Sequence, residues 1–173
     1  MKRILSALAL LSAASIAGAH SASDAYLTLS ADDVGKTGHV TLHGQWDIAL
    51  RDLDFVLKLD DDGDGQLSWG EVKRHQAEIQ RYAYARLRFD GETGISCAIQ
   101  PARQLIDAHA DGAYAALFFD VVCARAPTSL TMDYSLFFAI DPSHRGIFVL
   151  HSGQNISTAL LSPQNAKITL TLH

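Results

Sequence analysis

Apolar and polar positions alternate with period two over most of this chain. The cleanest run is Leu130, Met132, Tyr134, Leu136, Phe138 and Ile140. A second runs Ala113, Ala115, Leu117, Phe119, Val121 and Cys123, and a third Val40, Leu42, Trp46, Ile48 and Leu50, with Gly44 in register. Such alternation puts one face of a strand in a core and the other toward polar surroundings. Shorter strands are predicted at 26–30, 95–99, 147–151, 157–161 and 168–172. Turn signals separate them: Asp90-Gly91, Asp111-Gly112, Ala126-Pro127, Asp141-Pro142 and Ser152-Gly153. Many strands with short connections predict a mainly β fold, read as a β-sandwich. A jelly roll or an open barrel fits the same pattern.

One region breaks the alternation. Val72, Ile79, Ala83 and Leu87 fall at helical spacing, with Lys73, Arg74, Glu78, Gln80, Arg81 and Arg88 between them. This predicts one long helix over about 69–88, preceded by a shorter one carrying Leu53, Val56, Leu57 and Leu59. Between the two lies Asp60-Asp61-Asp62-Gly63-Asp64-Gly65-Gln66-Leu67-Ser68-Trp69-Gly70-Glu71. It satisfies the EF-hand pattern D-x-[DN]-x-[DN]-G-x5-E at every defined position. Calcium takes roughly six to eight oxygen ligands. Asp60, Asp62 and Asp64 would supply carboxylates at loop positions 1, 3 and 5, and Gln66 a backbone carbonyl. Ser68 would act through water, and Glu71 through both oxygens. Gly65 stands at the sharp turn. An ordinary solvated acidic turn accounts for the aspartates, but not for Gly65 and Glu71 at their offsets. No second loop with this spacing follows, so cooperative sensing by paired loops is not expected.

The first residues read as a targeting segment. Lys2 and Arg3 precede an uncharged, mostly apolar stretch ending at Ala17-Gly18-Ala19, an A-x-A cleavage site. Residues 1–19 are thus expected to be removed on export to the periplasm or outside. About 150 residues remain, the size of one ordinary domain, 20–173, with the EF-hand insertion at about 52–88. The formal net charge of −5 gives no footprint for nucleic acid.

Cys97 and Cys123, in predicted strands of an exported chain, predict an intramolecular disulfide. Cleavage after Ala19 would expose His20 as an amino-terminal chelator for copper, with His39, His43, His109, His144 or His151 as partner. No spacing selects among them, and a solvated terminus is the plainer reading. His39 and His43 fall on one side of a predicted strand. Trp46 and Trp69 read as core or loop-packing residues. The sequence carries no nucleophile elbow, P-loop, HExxH or Cys-x-x-Cys, so no enzymatic activity is expected.

Several segments occur in an order that resembles a known family. They are Ala19-His20, Ser23-Asp24-Ala25-Tyr26-Leu27-Thr28-Leu29, Gly44-Gln45-Trp46-Asp47-Ile48-Ala49-Leu50-Arg51-Asp52-Leu53, Asp111-Gly112-Ala113-Tyr114-Ala115 and Asp141-Pro142-Ser143-His144-Arg145-Gly146. Together they resemble the extracytoplasmic N-terminal region of bacterial HupE/UreJ-type membrane proteins, over nearly all of the mature chain. The resemblance implies a membrane-protein partner and a link to the uptake of nickel or other metals. In that family a multi-helix membrane portion commonly follows. Here the sequence ends at His173 without one, so transport itself is not carried over.

The expectation is therefore an exported calcium-binding protein. Its single EF-hand orders a loop–helix insertion on a β-sandwich, as a binding or interaction module. The alternative is a periplasmic nickel or copper carrier working with a membrane permease.

Overall fold

A computed structural model describes residues 23–31, 40–92 and 94–172. The targeting segment, His20 and His39 lie outside the described residues.

Two sheets carry the fold. The larger is six-stranded, in the order β4-β5-β2-β1-β7-β8. Its strands are β1 (Asp24–Ala31), β2 (Val40–Ala49), β4 (Cys97–His109), β5 (Gly112–Cys123), β7 (Arg145–Ser152) and β8 (Asn155–Leu161). The smaller has the order β3-β6-β9, from β3 (Leu87–Gly91), β6 (Ser129–Tyr134) and β9 (Lys167–Thr171). All pairings are antiparallel except β1 with β7. The architecture is mainly β and sandwich-like, as the alternation predicts.

Most buried positions follow the period-two pattern, although in β5 Ala113 is exposed and the out-of-phase Tyr114 and Ala116 are buried. Leu27 and Leu29 of β1, Leu42, Trp46 and Ile48 of β2, and Leu117, Phe119 and Val121 of β5 fill one face. Leu130, Met132 and Tyr134 of β6 face them from the smaller sheet, and the Trp46 and Tyr134 rings meet at 5.6 Å. Each fully buried large apolar side chain contributes roughly 1.5–3 kcal/mol. Gly44 has a steric role, because a Cβ there would lie 2.3 Å from the Phe119 ring. The ring therefore rests on bare β2 backbone. Pro101 sits on β4, an edge strand, where a missing N–H is tolerated, and the register slips between Pro101 and Arg103. Cys97 and Cys123 are directly paired across β4 and β5 and form the expected disulfide.

Two expectations are corrected. The helical stretch is not one long helix. It is α2 (Trp69–Arg74) and α3 (Gln76–Tyr84), broken at His75, whose ring nitrogens engage Asp61 at 2.9 Å and Glu78 at 3.0 Å. The Glu78 and Ile79 N–H groups both donate to the His75 carbonyl, restarting the helix there. Leu87, at the end of the predicted helix, instead joins Phe89 in β3, because pairing with β6 buries both. The other correction is to the run 130–140. The strand stops at Tyr134, and residues 136–140 form turns around Phe137, whose φ is +57°. Past Tyr134 the β6–β9 ladder has no further rungs, and the Ser135 N–H turns to the Arg86 carbonyl.

The connection between β2 and β3 holds α1 (Leu50–Leu57), the acidic loop, α2 and α3. Leu53, Leu59, Val72, Ile79 and Ala83 bury into the common core and anchor this insertion. Among the described residues no helix is long and apolar enough to cross a membrane.

Candidate metal centre

The acidic loop is held at both ends before any ion is considered. At its entry, α1 closes on Lys58 in the left-handed region, with φ 56°, and the Lys58 N–H donates to the Asp54 carbonyl at 2.8 Å. Asp54 Oδ1 then accepts the N–H groups of Leu59 at 2.7 Å and Asp60 at 3.1 Å. At its exit, Ser68 caps α2 in a capping box. Ser68 Oγ accepts the Glu71 N–H, and Glu71 Oε2 accepts the Ser68 N–H at 2.8 Å.

Between these ends the backbone amides turn inward. Asp60 accepts from Gly63 at 2.7 Å and from Gly65 at 2.9 Å, one oxygen each. Asp62 accepts from Asp64, and Asp64 from Gln66 at 2.7 Å. Gly63 and Gly65, with φ of +73° and +79°, take a conformation that favours glycine. One oxygen each of Asp60, Asp62 and Glu71 lies within 4.8 Å of the others. Glu71 is only 3 % exposed, an unusual depth for a carboxylate. The Ser68 N–H, the Ser68 hydroxyl and the Asp61 N–H hold its carboxyl below the usual range. A donor set made only of hard oxygens fits a hard cation.

The remaining predicted ligands lie close in sequence but are engaged differently. The Asp64 carboxylate falls outside that tight group and caps Gln66. Ser68 spends its hydroxyl on Glu71 Oε2, at 2.7 Å. Asp61 leaves the loop interior to bind Arg74 at 2.7 Å and His75 at 2.9 Å. These partners lower the Asp61 carboxyl, with His75 foremost, and Asp61 and Glu78 raise the His75 imidazole. Spacing alone did not single out Asp54 or the Asp61–His75 pair. The signal was Asp54 six residues before Asp60, within reach of the loop's first amides.

The loop also abuts the larger sheet. A cleft of about 360 Å³ lies between it and the β4–β5 hairpin, lined by Arg51, Asp54, Gly65, Leu67, Asp111 and Tyr114. Tyr114 donates its hydroxyl to Asp111 at 2.8 Å.

The other histidines considered as ligands have structural partners or stand apart from the loop. His43 pairs with Asp120 at 2.7 Å on the sheet surface. His144 is fully buried. Its Nε2 meets the Tyr134 hydroxyl at 2.8 Å, and its Nδ1 meets Ser23 Oγ at 2.7 Å. Ser23 donates onward to Asp52 at 2.8 Å, which ties α1 to both sheets. His109 lies on β4, near Asp47 and Asp107. Trp46 is core, whereas Trp69 is exposed beside the loop.

No protein-family model matches the chain, and a comparison with curated proteins finds no similar sequence.

Proposed function

We propose that this chain is an exported calcium-binding protein whose single EF-hand loop sets the α1–α3 insertion against the sheets. The observation that carries this reading is the convergence of Asp60, Asp62 and Glu71 oxygens within 4.8 Å, at spacings an EF-hand uses. Asp60, Asp62, Asp64 and Glu71 would hold the ion, with the Gln66 carbonyl, and Ser68 would contribute through water. Bound calcium would offset the mutual repulsion of these carboxylates. The chain's own residues do the positioning. The capping box orients Glu71, and Asp54 fixes the first amides. Asp61 is drawn away to Arg74 and His75, so it does not crowd the ligands.

Because Glu71 opens α2 and Leu67 lines the cleft against the hairpin, ordering the loop also orders the helix docked on the core. The role is that of a calcium-set clip in a binding or interaction module. The resemblance to extracytoplasmic regions of HupE/UreJ-type proteins makes a membrane protein the proposed partner. The copper alternative is built on His20, which lies outside the described residues.

Thermal melting with and without calcium tests the reading. Affinity is expected on the order of 0.1–1 mM, as in extracellular modules. A hundredfold excess over Kd would stabilise the fold by about 2.7 kcal/mol. Glu71→Gln should abolish the calcium-dependent rise. A wild-type chain whose melting temperature ignores millimolar calcium would refute the proposal.

A further inference from the structure

The geometry points to a second metal site, formed by Asp47, Asp107 and His109, for a divalent first-row transition ion such as zinc. These residues come from two strands that are not neighbours. Asp47 of β2 pairs with Ala116 of β5, and Ala116 pairs on its other side with Leu105 of β4. Asp107 and His109 follow Leu105 at steps of two, so all three ligands lie on one face of the larger sheet. One oxygen or nitrogen of each lies within 4.8 Å of the others.

The imidazole sets this group apart from an acidic patch, and two further observations bear on it. Asp47 is only 8 % exposed, yet among the described residues no lysine or arginine pairs with it. Its hydrogen-bond donor is the neutral Gln45 amide, at 3.0 and 3.1 Å. A buried carboxylate ordinarily has a cation against it. The His109 ring, moreover, is already clamped. It stacks on Tyr114 at 4.1 Å and leans on Tyr26 at 5.2 Å. So held, its Nε2 lies 3.7 Å from Asp47 Oδ2 and 4.0 Å from Asp107 Oδ2. Both separations exceed a hydrogen bond. Donors around a tetrahedral zinc at roughly 2.0–2.2 Å stand about 3.3–3.6 Å apart, so a small contraction closes the site.

One imidazole and two carboxylates match zinc-type ligation and would neutralise a divalent charge. Asp107 is exposed, which leaves room for water to complete the coordination. The all-oxygen loop at 60–71 has no nitrogen donor, so the two sites select different ions. Tyr114 stacks on His109 and also lines the cleft facing that loop.

The test is calorimetric titration of the full chain with zinc chloride in saturating calcium, repeated with cobalt(II) followed by its visible absorption. One zinc equivalent is expected in the wild type and missing in His109→Phe, which keeps a ring on Tyr114 but removes both nitrogens. Asp107→Asn should weaken that equivalent by about tenfold or more. Since Asp107 is exposed, its variant decides the matter if His109→Phe does not fold. Glu71→Gln should retain this equivalent, so this proposal and the calcium reading fail separately. Unchanged zinc stoichiometry and affinity in His109→Phe and Asp107→Asn would overturn the site. So would a wild type that takes up no zinc at about 100 μM.

Discussion

Glu71 Oε1 reaches back ten residues to accept the backbone N–H of Asp61, at 3.0 Å. The last ligand position of the loop is thereby tied to its second residue, while its other oxygen is held by Ser68. Loop closure and the start of α2 are one hydrogen-bonded unit.

Ser68→Ala should expose that coupling. It removes the cap of α2 and the hydroxyl that orients Glu71. Losing such a cap costs about 1 kcal/mol. Urea denaturation in a metal chelator should show this loss alone, and calcium titration should show weaker binding. An unchanged midpoint in chelator would mean that the capping box contributes nothing to stability.

Gly44→Ala should be destabilising although it adds a single methyl group. The new Cβ would lie 2.3 Å from the Phe119 ring, which is itself buried between strands. Overpacking of this kind costs about 1–3 kcal/mol. A melting temperature equal to that of the wild type would show that the ring moves aside freely.

Reduction of Cys97–Cys123 should lower stability by about 3 kcal/mol, from the unfolded-chain entropy that a closure spanning 26 residues removes. Denaturation with and without reductant measures it. Calcium-dependent stabilisation should survive reduction, because the bridge links β4 to β5 and touches neither end of the loop.

His144 should impose a pH dependence. Burial, first among its causes, pushes this imidazole down to about 4 from its ordinary 6.5. The unfolded chain therefore binds more protons between these values. Stability is fully present above about pH 6.5 and falls as pH drops toward 4, by on the order of 3 kcal/mol. His144→Gln should flatten this part of the stability curve when compared with the wild type. An identical slope in both would exclude His144 as its source.

The strand faces were legible because burial follows a period of two, which needs no knowledge of the partner strand. The loop was legible because its proposed ligands are sequence-local, so spacing alone brings Asp60, Asp62 and Glu71 together. What escaped depended on distant contacts. At the break, the His75 ring meets a carboxylate fourteen residues away, at Asp61, which no local pattern indicates. Leu87 shares helical spacing with Ile79 and Ala83, and only pairing with β6 makes it part of a strand. Asp47 meets Asp107 and His109 only through the registers of β2, β5 and β4. No local pattern announces that meeting.

The parallel pairing of β1 with β7 has a kinetic consequence. Ser23, at the edge of β1, and His144, just before β7, touch across 121 residues of chain. β1 is an inner strand of the larger sheet, so that sheet is incomplete until the segment from Arg145 onward has been made and has found it. Closing so long a loop loses chain entropy before the contact forms, which places this topology among slow folders, in the range of roughly milliseconds to seconds. The β1–β2, β4–β5 and β7–β8 ladders join strands adjacent in sequence and would form first, with the pairing of β1 to β7 closing last.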